Sequence, residues 1–238
     1  MIRLWLVEYG YNKFYEVYKE RCIVWKKLEN LKAIHECGMI AIIRSDDAED
    51  AYKIAEAAIA GGARALEVPF AVPDVLNIIR KLTSKYSKQG IVIGVGTVLD
   101  AENASAALLA GAEMLVSSSF SADMIRMANR YQAITVSGAM SPTEIADSMA
   151  AGADIVKLFP ADFYGPKYVK TLRAPMPTAP IIPFGGVTPE NVGEWLEAGC
   201  VAVGVGSYIT KAHKKDGDYG KVSKAAATFI EAIKNARA

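Results

Sequence analysis

The chain has only two histidines, His35 and His213, and three cysteines, Cys22, Cys37 and Cys200, with no CxxC spacing among them. The histidines lie far apart and outside the strands proposed below, so a histidine-rich metal site has no raw material, although a cluster of carboxylates is still able to bind magnesium. Three scattered cysteines suit a reducing compartment better than a disulfide scaffold, and they read as packing residues. Excess charge of one sign is also missing. The 27 Lys+Arg and 26 Asp+Glu leave a net charge of +1, which gives no electrostatic reason to expect nucleic acid or an anionic membrane as a partner. No window approaches the ~18 apolar residues of a membrane span, and the run Leu4 to Val7 is too short for a signal-peptide core. The expectation is a soluble, cytoplasmic protein.

What is present is globular: 52% hydrophobic and 22% charged residues argue against disorder. At 238 residues the chain is one or two domains, and α/β barrels commonly run this long as a single unit. Residues 1–25 differ from the rest, being rich in aromatics (Trp5, Tyr9, Tyr11, Phe14, Tyr15, Tyr18, Trp25) and charges. They read as an N-terminal extension that packs on the barrel, mediates assembly, or is an upstream segment with little role, and the sequence does not choose among these. An amphipathic helix follows, with Leu28, Leu31 and Ile34 on one face and a stop at Gly38.

From Met39 a rhythm begins of apolar strand, polar turn, amphipathic helix and glycine. The glycine mark recurs in Ala60-Gly61-Gly62-Ala63, Ala110-Gly111-Ala112, Ala151-Gly152-Ala153 and Ala198-Gly199-Cys200, where a left-handed residue after each helix turns the chain into the next strand. Marks at intervals of roughly 40 to 50 residues look like an internal repeat of two βα units each. The strands read as Met39–Arg44, Ala65–Phe70, Ile91–Thr97, Met114–Ser117, Ala133–Ser137, Ile155–Phe159, Ile181–Phe184 and Val201–Gly204. Near-continuous apolar strands alternating with helices imply a parallel sheet, and eight in series imply a closed (β/α)8 TIM barrel over residues 26–238, a single domain carrying the N-terminal helical extension. An open doubly wound sheet is the alternative. Against it, Gly94-Val95-Gly96-Thr97 lacks the third glycine of a dinucleotide fingerprint and no GxxxxGK loop occurs.

Working residues in such barrels lie where the strands end. Those positions supply Arg44, Glu67, Thr97, Ser117, Ser118, Ser137 and Lys157, with Gly185-Gly186 and Gly206-Ser207 after the last two strands. Lys157 sits in the apolar run Ile155 to Ala161. An ammonium buried there tends to lose its proton and become a nucleophilic amine of the kind a Schiff base needs. The plainer alternative is a lysine at a strand end with its stem on the apolar wall and its head in water. Glu67, inside Ala65 to Phe70, is a carboxylate that can stay charged opposite a cationic amine and act as a base. A structural ion pair between the two is the competing interpretation, and the convergence of Arg44 and Thr97 on the same barrel end argues for a site. The glycine-rich ends of strands seven and eight suit a phosphate group, with Gly186 to Asn191 as a helix start and a plain turn as the alternative.

The motifs Ile42-Ile43-Arg44, Gly61-Gly62 to Leu66-Glu67-Val68, Val72-Pro73-Asp74, Gly94 to Val98, Lys157-Leu158-Phe159-Pro160, Phe163-Tyr164-Gly165-Pro166, Gly185-Gly186-Val187 and Val203 to Ser207 together resemble the 2-keto-3-deoxy-6-phosphogluconate / 4-hydroxy-2-oxoglutarate aldolase family, from about Lys32 to the C-terminus. The resemblance implies a metal-independent class I aldolase on a (β/α)8 barrel, usually a homotrimer, that uses no cofactor and acts on a small-molecule keto acid. It assigns Lys157 as the Schiff-base lysine and Glu67 as the acid/base. Arg44 and Thr97 would hold the carboxylate at the pyruvate end, and Gly185, Gly186, Gly206 and Ser207 the phosphate. The chain departs from the commoner pattern at Ala71, where some members have arginine, at Ser118 and Ser137, where prolines are usual, and at Phe184, where threonine is frequent. These departures leave the lysine and glutamate in place and leave the substrate open among the phosphogluconate, phosphogalactonate and 4-hydroxy-2-oxoglutarate series. A phosphosugar isomerase, epimerase or metal-dependent lyase on the same fold, and a noncatalytic binder of phosphorylated metabolites, are the other classes.

Overall fold

The computed structural model describes residues 25–238, so the expectations for Cys22 and for the aromatic stretch before Trp25 fall outside the described residues. Helix α1 (Lys26–Cys37) leads into β1 (Met39–Ile42), α2 (Ala48–Ala60), β2 (Ala65–Pro69), α3 (Val75–Tyr86), β3 (Val92–Gly96), α4 (Ala101–Leu109), β4 (Met114–Val116) and α5 (Ala122–Arg130). Then come β5 (Ile134–Ala139), α6 (Pro142–Ala150), β6 (Ile155–Leu158), α7 (Gly165–Arg173), β7 (Ile181–Pro183), α8 (Val192–Glu197), β8 (Val203–Val205), α9 (Ser207–Thr210) and α10 (Gly220–Arg237). All eight strands pair in parallel, and β1 pairs with both β2 and β8. A bridge between Phe184 and Gly204 joins β7 to β8 and completes the circle, as the alternating strands and helices predict.

Local chemistry punctuates the repeat. Asp47, Asp100, Ser121 and Ser141 cap α2, α4, α5 and α6, each side chain accepting from the backbone N–H three residues on. The repeated glycines take φ of 99° at Gly62, 99° at Gly111, 89° at Gly152 and 95° at Gly199, a region that residues with a Cβ avoid. The observed strands are mostly shorter than the apolar runs, because ladder pairing stops where the chain turns outward toward its helix. Arg44, Thr97, Ser117 and Phe159 therefore lie in the loops just past the strands, and Phe184 sits at the bridge that follows β7. Strand β5 is the exception. It continues to Ala139, and Ser137 is buried with its hydroxyl 2.9 Å from that of Ser148 on α6, which places it against a helix rather than at a strand end.

Strand residues alternate between the barrel interior and the helix layer. Ile40, Ala65, Val92, Met114, Val116, Ile134, Val136, Ile155, Ile182, Phe184 and Ala202 form one buried cluster inside the barrel, and α1 closes it with Ile34. The outward residues, such as Leu66, Val68, Ile93, Val95, Val156 and Leu158, pack with the helices in a second cluster. Lys27 ties α1 in place, with Nζ 2.8 Å from Asp154 and 2.8 Å from Asn129. Leu28, expected on the buried face, is instead exposed, and Asn30 and Cys37 are buried beside Ile34. Ile34→Ala opens a cavity under the barrel, and chemical denaturation should register a loss of roughly 2–5 kcal/mol.

Candidate active site

Two residues above the interior cluster on the same inward-facing rows come Glu67 after Ala65 and Lys157 after Ile155. They sit in strands buried along their whole length, at the floor of a cavity of about 940 Å³. Its lining includes Arg44, Glu67, Thr97, Lys157, Gly185, Gly186, Gly206 and Ser207, so the eight residues to which the family resemblance assigns roles converge. Ser118 lines it too. Ser117 is buried and accepts the Ser119 N–H at 3.2 Å, and neither it nor Ser137 reaches the cavity. Among the described residues no three His, Cys, Asp or Glu side chains are grouped so as to hold a metal ion.

Lys157 is 7% exposed, and its Nζ lies 4.5 Å from the ring centroid of Phe184 and 4.8 Å from that of Phe159. Burial lowers its pKa below the ordinary lysine value. The charge of Arg44 lowers it further, and Glu67 pulls in the other direction. The aromatic faces favour the ammonium by about 0.5–2 kcal/mol, less than the desolvation they help to cause. The net result is an amine easier to deprotonate than a surface lysine.

Glu67 has the complementary perturbation. Burial pushes its pKa up to about 7, against the opposing charges of Lys157 and Arg44. Its Oε2 is buried with no hydrogen-bond partner, and it makes no direct ion pair with Lys157. The two groups feel each other across a gap instead of neutralising each other. Gly96 makes the room: a Cβ there would stand 1.8 Å from Glu67 Oε2. A glycine inside a strand often marks a close approach of this kind, so the sequence carried the signal without naming the neighbour.

Gly204 does the same for Phe184, whose ring would lie 2.6 Å from an added Cβ. Phe184 is 1% exposed and forms apolar wall beside the amine, a role its departure from the family pattern did not reveal. Thr97 is held at φ 58°, a strained conformation for a β-branched residue and one that clusters at functional sites. At the opposite wall Gly185 and Gly186 have φ of 113° and 70° and pack on Asp162. The helix expected to start there begins later, at Val192. Asn191 closes the intervening loop, accepting the Thr188 N–H at 2.8 Å and donating to the Gly186 carbonyl at 2.9 Å. Cys37 and Cys200 are buried, and burial pushes the Cys200 thiol up to about 12, consistent with packing residues.

A buried amine of lowered basicity and a carboxyl that titrates near neutrality, lining one cavity, can form an imine with a ketone and move protons around it. The chain is also similar to known aldolases. The family model described as "Aldolase: KDPG and KHG aldolase" matches residues 31–225. The 2-dehydro-3-deoxy-6-phosphogalactonate aldolase of Escherichia coli (strain K12) is 32% identical over 199 residues, covering 83% of this chain and 95% of that protein. The 2-dehydro-3-deoxy-phosphogluconate aldolase of Zymomonas mobilis is 31% identical, covering 75% and 85%. Among solved structures, one described as native KDPGal superposes with a TM-score of 0.77 at 32% identity, covering 84% of this chain and 95% of the other.

Proposed function

Because the chain belongs to the KDPG and KHG aldolase family, we propose that its cavity cleaves a 2-keto-3-deoxy-6-phospho sugar acid to pyruvate and glyceraldehyde 3-phosphate through a Schiff base on Lys157. The observation that carries this reading is the buried Lys157 of lowered basicity and the Glu67 carboxyl, its Oε2 without a hydrogen-bond partner, lining one cavity of about 940 Å³.

The neutral amine of Lys157 adds to the C2 carbonyl, and loss of water gives an iminium. The carboxylate of Glu67 takes the proton of the C4 hydroxyl, the C3–C4 bond breaks, and its electron pair moves into the iminium to leave an enamine. The aldehyde departs. Protonated Glu67 then returns its proton to C3 of the enamine, and water adds to C2 to release pyruvate and restore the amine. A carboxyl with a pKa near 7 suits both halves, since it is comparably ready to accept and to donate. Arg44 and Thr97 are the groups proposed to hold the substrate carboxylate. Gly185, Gly186, Gly206 and Ser207 are proposed to hold the phosphate.

The phosphogalactonate and phosphogluconate series differ at C4, and both have relatives at similar identity. Pyruvate release from a panel of the two phosphorylated acids, their unphosphorylated counterparts and 4-hydroxy-2-oxoglutarate tests the reading. At least one phosphorylated acid should be turned over. Borohydride reduction in the presence of pyruvate should leave a covalent adduct at Lys157. Binding of the panel with neither turnover nor adduct would mean a noncatalytic barrel and overturn the proposal.

A further inference from the structure

Away from the strand ends, a polar cluster centres on Asp50, in the first turn of α2. Its Oδ1 accepts from Tyr219 Oη at 2.6 Å and lies 2.9 Å from His213 Nε2, while its Oδ2 accepts from Ser45 Oγ at 2.6 Å. The His213 and Tyr219 rings stack with centroids 4.8 Å apart, and His213 is buried. Burial works to raise the Asp50 pKa. The hydrogen bonds from Ser45 and Tyr219, with the charge and hydrogen bond of His213, outweigh it and hold the carboxyl below its usual range.

The partners matter because of where they lie. Ser45 follows Arg44 in the loop after β1, and both line the cavity. His213 and Tyr219 belong to the segment after β8, which also brings Ser207, Lys211 and Lys214 to the same cavity. One carboxylate therefore fastens two walls that are more than 160 residues apart in sequence. Lys221 on the far end of that segment pairs with Asp216, whereas Lys211 and Lys214 pair with no acidic side chain among the described residues. Two unneutralised ammonium groups at a cavity wall form a site for a distal anion.

We propose that Asp50 is a positioning residue for anion recognition: it clamps the segment after β8 to the loop after β1 and thereby sets Lys211 and Lys214 to receive the phosphate monoester of the keto acid. The proposal rests on the aldolase reading of the cavity and adds to it a specificity device made of residues that touch neither Lys157 nor Glu67.

The test compares a 2-keto-3-deoxy-6-phosphohexonate with its unphosphorylated counterpart. Asp50→Ala should raise KM for the phosphorylated acid about tenfold and change kcat by less than about twofold, while KM for the unphosphorylated acid stays within about twofold. Asp50→Asn keeps a carbonyl oxygen as acceptor and should recover part of the affinity. Tyr219→Phe, which removes one donor, should fall in between. In the Asp50→Ala background, Lys211→Met with Lys214→Met should add little further KM, because the clamp acts through those lysines. A loss that only weakened the fold would lower the amount of active protein and leave this substrate selectivity unchanged. Equal KM changes for both acids, or fully additive lysine and Asp50 effects, overturns the proposal. If Asp50→Ala does not fold, the Asn and Phe variants decide by the same criteria. Borohydride trapping of pyruvate on the wild-type protein reports separately: no adduct defeats the aldolase reading, and an adduct without selective KM changes defeats the clamp alone.

Discussion

Lys157→Met should lower pyruvate release on the order of ten-thousandfold or more, the scale seen when an enzyme loses its nucleophile, and should abolish the borohydride adduct. Methionine has nearly the same length and keeps contact with the rings of Phe159 and Phe184, so the loss belongs to the missing amine. The same substitution should stabilise the protein at neutral pH. Lys157 has a folded pKa lowered from 10.5, so between that lowered value and 10.5 the unfolded chain binds more protons than the native one, and wild-type stability rises with pH through this window. The wild type is therefore penalised near pH 7 and least penalised above 10.5. Thermal melts of the two proteins should differ most near neutrality, with methionine ahead, and converge toward high pH. A variant that melts lower at pH 7 would mean the amine sits in water and would remove the physical basis for its nucleophilicity.

The parts of this molecule that could be read in the sequence are those that repeat or that carry chemistry at a fixed register. The strands were visible because β-branched runs recur between left-handed glycines, and Lys157 and Glu67 because a charged residue inside such a run has few structural uses. Boundaries were less legible. The apolar run Ile155 to Phe159 outlasts β6, which ends at Leu158, and nothing local distinguishes Ser137, facing a helix, from Ser118, facing the cavity. Leu28 misled because hydrophobic spacing alone does not say that Asn30 and Lys27 are the residues facing the barrel. The Asp50 clamp was invisible for a different reason. Its partners are set by the closure of β8 onto β1, and no periodicity links residues that only the completed barrel brings together.

The second large effect is expected where sequence gave a clue and structure supplied its meaning. Gly96 is fully buried in β3, and its backbone φ is not positive, so alanine is tolerated by the main chain. Its methyl group would fall 1.8 Å from Glu67 Oε2 and 2.4 Å from Cδ, with Glu67 confined in a buried strand, so the carboxyl must swing away from its place in the cavity. Gly96→Ala should therefore mimic Glu67→Gln, each lowering kcat/KM roughly a hundredfold to ten-thousandfold, the usual contribution of a positioned acid/base group. Neither change touches Lys157, and pyruvate should still be trapped on it. The pH profile adds a sharper criterion. With Glu67 titrating at about 7 and required as carboxylate for cleavage, wild-type kcat/KM should climb through that pH as the base form accumulates, and this limb should vanish in Glu67→Gln. Gly96→Ala should lose it or shift it toward the ordinary carboxylate range as the displaced group reaches water. Activity within about threefold of wild type with the limb unchanged would mean that Glu67 moves no proton. The acid/base role would then pass to another group of the cavity.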